Sequence, residues 1–189
     1  MREPKGYKEA QSYSGSFRLP AGGYVVKILE ATGKAWPSGD EYLEIIFDIV
    51  EGEYRDFFKK QYENQTFEPK KYKGTMKINW PNDDGTDQDE RKNRQLKSNM
   101  NAIEDSNEGF RWDWDEKKLV GKIVGLLFCD AEYNVDGNHG WWTKPKWFIA
   151  ADRIREGKFT TPKSEPLREE AQTSGKFSGF VPVDDEPPF

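Results

Sequence analysis

Residues 72–106 read YKGTMKINWPNDDGTDQDERKNRQLKSNMNAIEDS, and this stretch decides the fold because it places a helix directly after a strand. Apolar and polar residues alternate over residues 72–80, which predicts a half-buried strand. Beyond an acidic loop, Leu96, Met100 and Ile103 recur at helical spacing, which predicts an amphipathic helix with a narrow apolar stripe.

Two strands are predicted before this stretch and two after it. Residues 22–31 are β-branched, and residues 41–50 alternate strictly, with Leu43, Ile45, Phe47 and Ile49 on one face. Two later strands are joined at a hairpin turn, Asp136-Gly137. They are LVGKIVGLLFCDAEY (119–133) and WWTKPKWFIA (141–150).

The element order predicts a mainly β domain. Strand 2 is followed by RDFFKKQYENQTFEPKK (55–71), which is predicted as a short helix and then a loop. Five strands with this helical insert and a helix between strands 3 and 4 have the element order of an OB-fold barrel. Other small α+β domains share this order. Pro145 cannot donate to a ladder, so the last strand is expected at an edge or kinked, which allows self-association into a homo-oligomer.

Composition limits the possible chemistry. The 189 residues carry a net charge of −5, and 14% are aromatic, including seven Trp, which favours an aromatic-rich core with polar appendages. A single cysteine, Cys129, excludes an internal disulfide and is expected to be buried. A single histidine argues against a zinc site or a serine–histidine triad. We therefore expect no metal and no cofactor.

Changes in composition divide the chain into four parts. Residues 1–16 are expected to form a loose arm, 17–159 the folded domain, 160–180 a flexible linker and 181–189 an acidic tip, so that the C-terminal tail is disordered. No run of about 18 apolar residues and no N-terminal apolar segment occurs, so a cytoplasmic protein without a membrane partner is expected.

The only catalytic hypothesis rests on an acidic cluster that could hold magnesium, as in a nuclease. The spacing matches no calcium loop, and charge at a helix N-terminus is the simpler interpretation. Neither a phosphate-binding glycine loop nor a nucleophile beside a base is present, so we expect no enzyme. The cluster comprises Asp83, Asp84, Asp87, Asp89 and Glu90.

Lysines and aromatic residues are interleaved repeatedly, as in FFKKQY (57–62) and FEPKKYKGTMK (67–77). Single-stranded nucleic acid requires flat rings for its bases and cations for its phosphates on one surface. In WWTKPKWF, alternation predicts Trp142, Lys144, Lys146 and Phe148 on one face. Trp112 and Trp114 are expected in the core. The candidate nucleic-acid-binding residues are Lys27, Lys34, Trp36, Lys59, Lys60, Tyr62, Lys71, Tyr72, Lys73, Lys77, Trp142, Lys144 and Lys146.

Residues 17–159 resemble the single-stranded-DNA-binding proteins of phages and prophages of Gram-positive bacteria. The most specific part of the resemblance is SNEGFRWDWD followed by LVGK, with WWTKP further on. It also covers LPAGGYVVKI, YLEIIFDIVEGEYRDFFKKQYE, KGTMK and DRIREGKF. The resemblance implies an OB-type fold that coats single-stranded DNA during phage DNA replication or recombination, in a bacterial host cell and without catalysis.

The C-terminal sequence DDEPPF resembles the tip of bacterial single-stranded-DNA-binding proteins, with Pro187 where isoleucine is usual. Phe189 could enter an apolar pocket of a partner while its carboxylate meets a cation, and the acids could steer the tip to a basic rim. Replication or recombination proteins are the expected partners. The residues assigned to docking are Asp184, Asp185, Glu186, Pro188 and Phe189.

Three alternatives remain open at the level of the sequence. A carbohydrate-binding β-module would also use Trp platforms, but its binding would ignore salt. A magnesium-dependent nuclease would cleave DNA. An adaptor would bind only protein, and would lose its partner on deletion of residues 160–189.

Overall fold

The computed structural model describes residues 18–66 and 68–167. Within these residues, five strands form one sheet and four helical segments accompany them. The strands are β1 (Gly22–Ala35), β2 (Glu41–Ile49), β3 (Thr75–Asn79), β4 (Ile123–Val135) and β5 (Asn138–Ile149). The helices are α1 (Phe57–Glu63), α2 (Asp87–Asp105) and α3 (Ala151–Arg155), with a 3₁₀ turn at Glu116–Leu119. The predicted arm, most of the linker and the acidic tip lie outside the described residues.

The sheet is antiparallel throughout, with the strand order β3-β2-β1-β4-β5. Its edge strands β3 and β5 approach each other, and α2 packs against both of them and against β4. The mainly β architecture, the helix between strands 3 and 4 and the short helix after strand 2 are thereby confirmed. The open sheet is compatible with an OB-like fold.

The core lies on the face of the sheet that strict alternation predicted. Leu43, Ile45, Phe47 and Ile49 of β2 are all buried. Helix α2 buries the predicted stripe of Leu96, Met100 and Ile103 against this face. Burial of apolar surface on this scale is the main favourable term for folding. Cys129 is completely buried, as expected, and burial raises the pKa of its thiol to about 11.

Helix α1 is capped by a side chain of the preceding strand, β2, rather than by its own N-cap residue. Asp56 occupies its N-cap position but has φ 60° and makes no side-chain cap bond. Instead the buried carboxylate of Asp48 on β2 accepts the backbone N–H groups of Phe58 (3.0 Å) and Lys59 (2.9 Å). The first N–H groups of a helix have no partner inside it, so β2 supplies the missing acceptors.

The β4–β5 hairpin turns at Asp136 and Gly137, both with positive φ, as predicted. The register shifts between the pairs Leu126↔Phe148 and Phe128↔Pro145. This bulge beside Pro145 confirms a kinked edge strand, but it also corrects the predicted face. Phe148 is buried in the core, whereas Lys144 pairs with Cys129 on the opposite face. One extra residue in the strand is sufficient to reverse the alternation.

The chain continues past α3 across the outer face of β4. Gly23 and Gly125 leave room for this crossing, since a Cβ at either position would lie within 2.7 Å of Ile154. Glu165 then bonds with the backbone of β4, donating its N–H to Asp130 O (2.8 Å) and accepting the N–H of Glu132 (2.9 Å). Glu165 and Leu167, which the sequence analysis places in the linker, therefore contact the sheet.

Candidate nucleic-acid interface

The turn between β1 and β2 holds Trp36 against the outer face of the sheet. The N–H of Trp36 donates to Asp40 O (2.8 Å), and Gly39, with φ 93°, donates back to Trp36 O (2.9 Å). The ring of Trp36 lies on that of Tyr42, with 4.4 Å between centroids. Lys77 Nζ lies 4.1 Å from the Trp36 centroid and 4.9 Å from that of Tyr42. Two rings and one ammonium group are thus held together by cation–π attraction.

Cross-strand pairing fixes the charges around these rings. Tyr42 of β2 pairs with Lys34 of β1 and Asn79 of β3, and Glu44 pairs with Lys77. The carboxylate of Glu44 also bonds to the ammonium group of Lys34, and this hydrogen bond raises the pKa of Lys34. Glu44 is therefore the negative group that an anionic ligand would meet on this face, and Lys34 already neutralises it.

A second group of lysines and tyrosines surrounds α1 and the loop after it. The rings of Tyr62 and Tyr72 are 5.9 Å apart, and Lys70 Nζ lies 5.9 Å from the Tyr62 centroid. Tyr72 is half-buried, donates its hydroxyl to Phe47 O (3.2 Å), and has its pKa raised by burial. Tyr62 is exposed. The exposed lysines of this group are Lys59, Lys60, Lys71 and Lys73.

Strand β3 connects the two groups. Met76 and Ile78 point into the core, so Thr75 and Lys77 face outward. Lys73 lies just before β3, where the N–H of Thr75 donates to Lys73 O (2.8 Å) in a tight turn that leads from the second group into the strand carrying Lys77. We call the set Trp36, Tyr42, Tyr62, Tyr72, Lys73 and Lys77 the aromatic–lysine surface. The outer face of strands 2 and 3, with the loop between strands 1 and 2, is where OB-folds bind oligonucleotides.

The other predicted residues lie apart from this surface. Lys27 is exposed on β1, where it pairs with Asp48 and Ile123. Trp142 is exposed on β5. Lys144 and Lys146 are largely buried and both contact the carboxylate of Glu165, Lys144 at 2.8 Å. Their ammonium groups are therefore committed to an ion pair within the domain.

This ion pair makes the docking of residues 160–167 dependent on pH. Burial raises the pKa of Glu165, but bonding to Lys144 and Lys146 outweighs it, so the net pKa lies below its ordinary value. A depressed acid pKa gives stability that is present at neutral pH and is lost as the pH falls through the folded-state pKa. Glu165→Gln should lower the free energy of unfolding by about 2 kcal/mol at neutral pH, because two buried cations lose their counter-charge.

Urea denaturation of wild type and Glu165→Gln between about pH 7 and pH 3 measures this effect, and the two curves should converge at the acidic end. Glu156→Gln is the matched control, since Glu156 pairs with Lys158 on an exposed part of the surface. A constant difference between wild type and Glu165→Gln at every pH would contradict the assignment.

The sequence analysis missed a tryptophan cluster, and its prediction for Trp114 is wrong. Trp112 packs partly buried against the core, but Trp114 is 70% exposed. Trp112 and Trp114 lie 4.6 Å apart, and Trp80 contacts both rings, at 6.1 and 6.4 Å. Trp114 has φ 70°, which turns its side chain outward. Such a left-handed residue at an aromatic position leaves no periodic signal in the sequence.

The acidic cluster is used for turns and helix capping. Asp89, buried at the start of α2, accepts the N–H groups of Asn82 and Asp83. Thr86 is the N-cap residue of α2 and accepts the N–H of Asp89, while Asp84 accepts from Thr86. Within residues 18–66 and 68–167, no three metal-ligating side chains form a group that could hold an ion.

Comparison with known proteins adds no identification: no protein-family model matches the chain, and no curated protein matches it. None of the helices in the described part has the length and apolar character needed to cross a membrane.

Proposed function

We propose that this domain is an OB-fold barrel that binds single-stranded DNA along the aromatic–lysine surface. The single observation that supports this most strongly is the arrangement of Lys77 against the rings of Trp36 and Tyr42. It places an ammonium group and flat rings on one outer face, the combination that unpaired bases and phosphates require. The resemblance to phage single-stranded-DNA-binding proteins supports the same assignment and implies a role in phage DNA replication or recombination in the host cytoplasm.

The physical mechanism is coating without chemistry. Bases stack on exposed ring faces, and lysine ammonium groups replace counterions along the phosphate backbone. Lys77 lies on β3, Lys73 lies in the turn just before β3, and Lys59 and Lys60 lie on α1, so the DNA backbone would follow the edge of the sheet. Because stacking tolerates every base, binding should show little sequence preference.

Fluorescence titration with dT oligonucleotides tests the proposal. Tryptophan emission should be quenched as bases stack. We assume that Lys59, Lys60, Lys73 and Lys77 each neutralise one phosphate. The logarithm of the association constant should then fall with the logarithm of the salt concentration with a slope of about −3. Double-stranded DNA, which keeps its bases inside, should bind more weakly.

Three results would contradict the proposal. If single-stranded DNA does not quench tryptophan emission and binding does not depend on salt, single-stranded DNA is not the ligand. If oligosaccharides quench the emission instead, a carbohydrate-binding module is favoured. Cleavage of labelled DNA that requires magnesium would favour a nuclease.

The acidic tip, Asp184 to Phe189, lies outside the described residues. We propose from its sequence that it recruits replication or recombination proteins while the domain holds DNA. Deleting residues 168–189 should abolish such recruitment and leave the salt slope of the domain negative.

A further inference from the structure

The tryptophan cluster of Trp80, Trp112 and Trp114 lies at the same end of the sheet as the aromatic–lysine surface. Trp80 directly follows Asn79, whose partner in β2 is Tyr42. The N–H of Trp80 donates to Glu41 O (2.9 Å), which keeps the two strands together as far as the cluster. A strand of DNA leaving Trp36 and Tyr42 over the edge of β3 would therefore reach the cluster next.

Trp114 is presented to solvent by its backbone. A positive φ is strained for a bulky side chain, and folding alone favours burying an indole rather than exposing 70% of it. The ring is also fixed, because it lies against Trp112, which packs on the core. Strained residues of this kind occur mainly at functional sites.

The charges around Trp114 favour a flat, uncharged contact. Arg111 pairs with Glu104 (3.6 Å), and Lys118 pairs with Asp113, so each of these two cations already has a carboxylate partner. An unpaired base can stack its face on the indole without any phosphate contact. We infer that Trp114 is a base-stacking residue that extends the single-stranded-DNA site beyond the edge of β3. This inference rests on the proposed function and deepens it.

Trp114→Gly separates binding from packing. Glycine adopts φ 70° without strain, which offsets the lost contact of the exposed ring with Trp112, so the melting temperature should change little. Affinity for a dT oligonucleotide of about 20 nucleotides should fall about tenfold, whereas one of about six nucleotides, too short to reach the cluster, should change less than twofold. The salt slope should not change, because no charge is lost. Trp114→Asn, which also tolerates this backbone, should give the same binding result.

The outcomes distinguish this inference from the proposed function. If wild type binds both oligonucleotides and Trp114→Gly binds them equally well, Trp114 does not stack on bases, although the proposed function stands. A melting temperature lowered by several degrees in both variants would make Trp114 a packing residue and overturn the inference. Loss of binding to a protein partner, with unchanged DNA affinity, would assign the cluster to protein docking and also overturn it. Failure of wild type to bind any single-stranded DNA would reject the proposed function itself.

Discussion

Replacing Trp36 and Lys77 together by alanine is expected to weaken binding of single-stranded DNA about a hundredfold. Stacking of one base on an aromatic ring contributes roughly 1–3 kcal/mol, and Trp36 is a partly exposed ring of the aromatic–lysine surface. Lys77 provides the cation that lies over the same ring. Losing both groups removes a stacking position in the β1–β2 turn and a phosphate contact on β3, which meet at one place on the outer face.

The two single variants should differ in their salt dependence. Trp36→Ala should lower affinity about tenfold without changing the slope of log K against log salt, because it removes no charge. Lys77→Ala should reduce the magnitude of that slope by about 0.7, the value for one phosphate contact on a single strand. Trp36→Phe, which keeps a ring, should recover most of the affinity.

Lys97→Ala is the matched control for charge. It removes one ammonium group from the exposed side of α2, away from the aromatic–lysine surface. Affinity and slope should both stay within error of wild type. If Lys97→Ala reduced the slope as much as Lys77→Ala does, binding would depend on net charge rather than on this surface.

The order of the strands and helices could be predicted from the sequence because the spacing of apolar residues differs between a strand and a helix. Strict alternation in β2 and the helical spacing of Leu96, Met100 and Ile103 both record which side faces the core. Both elements are long enough for the pattern to exceed chance. The turn at Asp136-Gly137 was likewise readable, since its backbone demands these residue types.

The sequence was not sufficient where a contact joins distant residues. Lys144 and Lys146 lie among aromatic residues, as expected of a DNA-binding strand. Both lysines instead pair with Glu165, which lies 21 residues after Lys144 and 19 after Lys146. The bulge at Pro145 reverses one face of β5, and the left-handed backbone at Trp114 exposes a ring expected in the core. Two of the candidate residues, Trp36 and Lys77, do contact each other, but the contact of Tyr42 with both of them was not foreseen.

Asp48→Ala is expected to lower the free energy of unfolding by about 3 kcal/mol, a large fraction of the 5–15 kcal/mol typical of a domain. The variant leaves the N–H groups of Phe58 and Lys59 without the acceptor they have in the native fold. It also loosens α1, whose Phe58 packs edge-on against Phe47 in the core (5.4 Å). Urea denaturation followed by far-UV circular dichroism measures the loss.

Asp56→Gly is the decisive comparison, because local sequence would assign the cap of α1 to Asp56. Asp56 makes no cap bond and has φ 60°, which glycine adopts freely, so this variant should change the free energy of unfolding by less than about 0.5 kcal/mol. A larger loss from Asp56→Gly than from Asp48→Ala would mean that α1 is held by its own N-cap residue. A larger loss from Asp48→Ala would instead show that β2 fixes α1, and with it Tyr62 of the aromatic–lysine surface and the neighbouring Lys59 and Lys60.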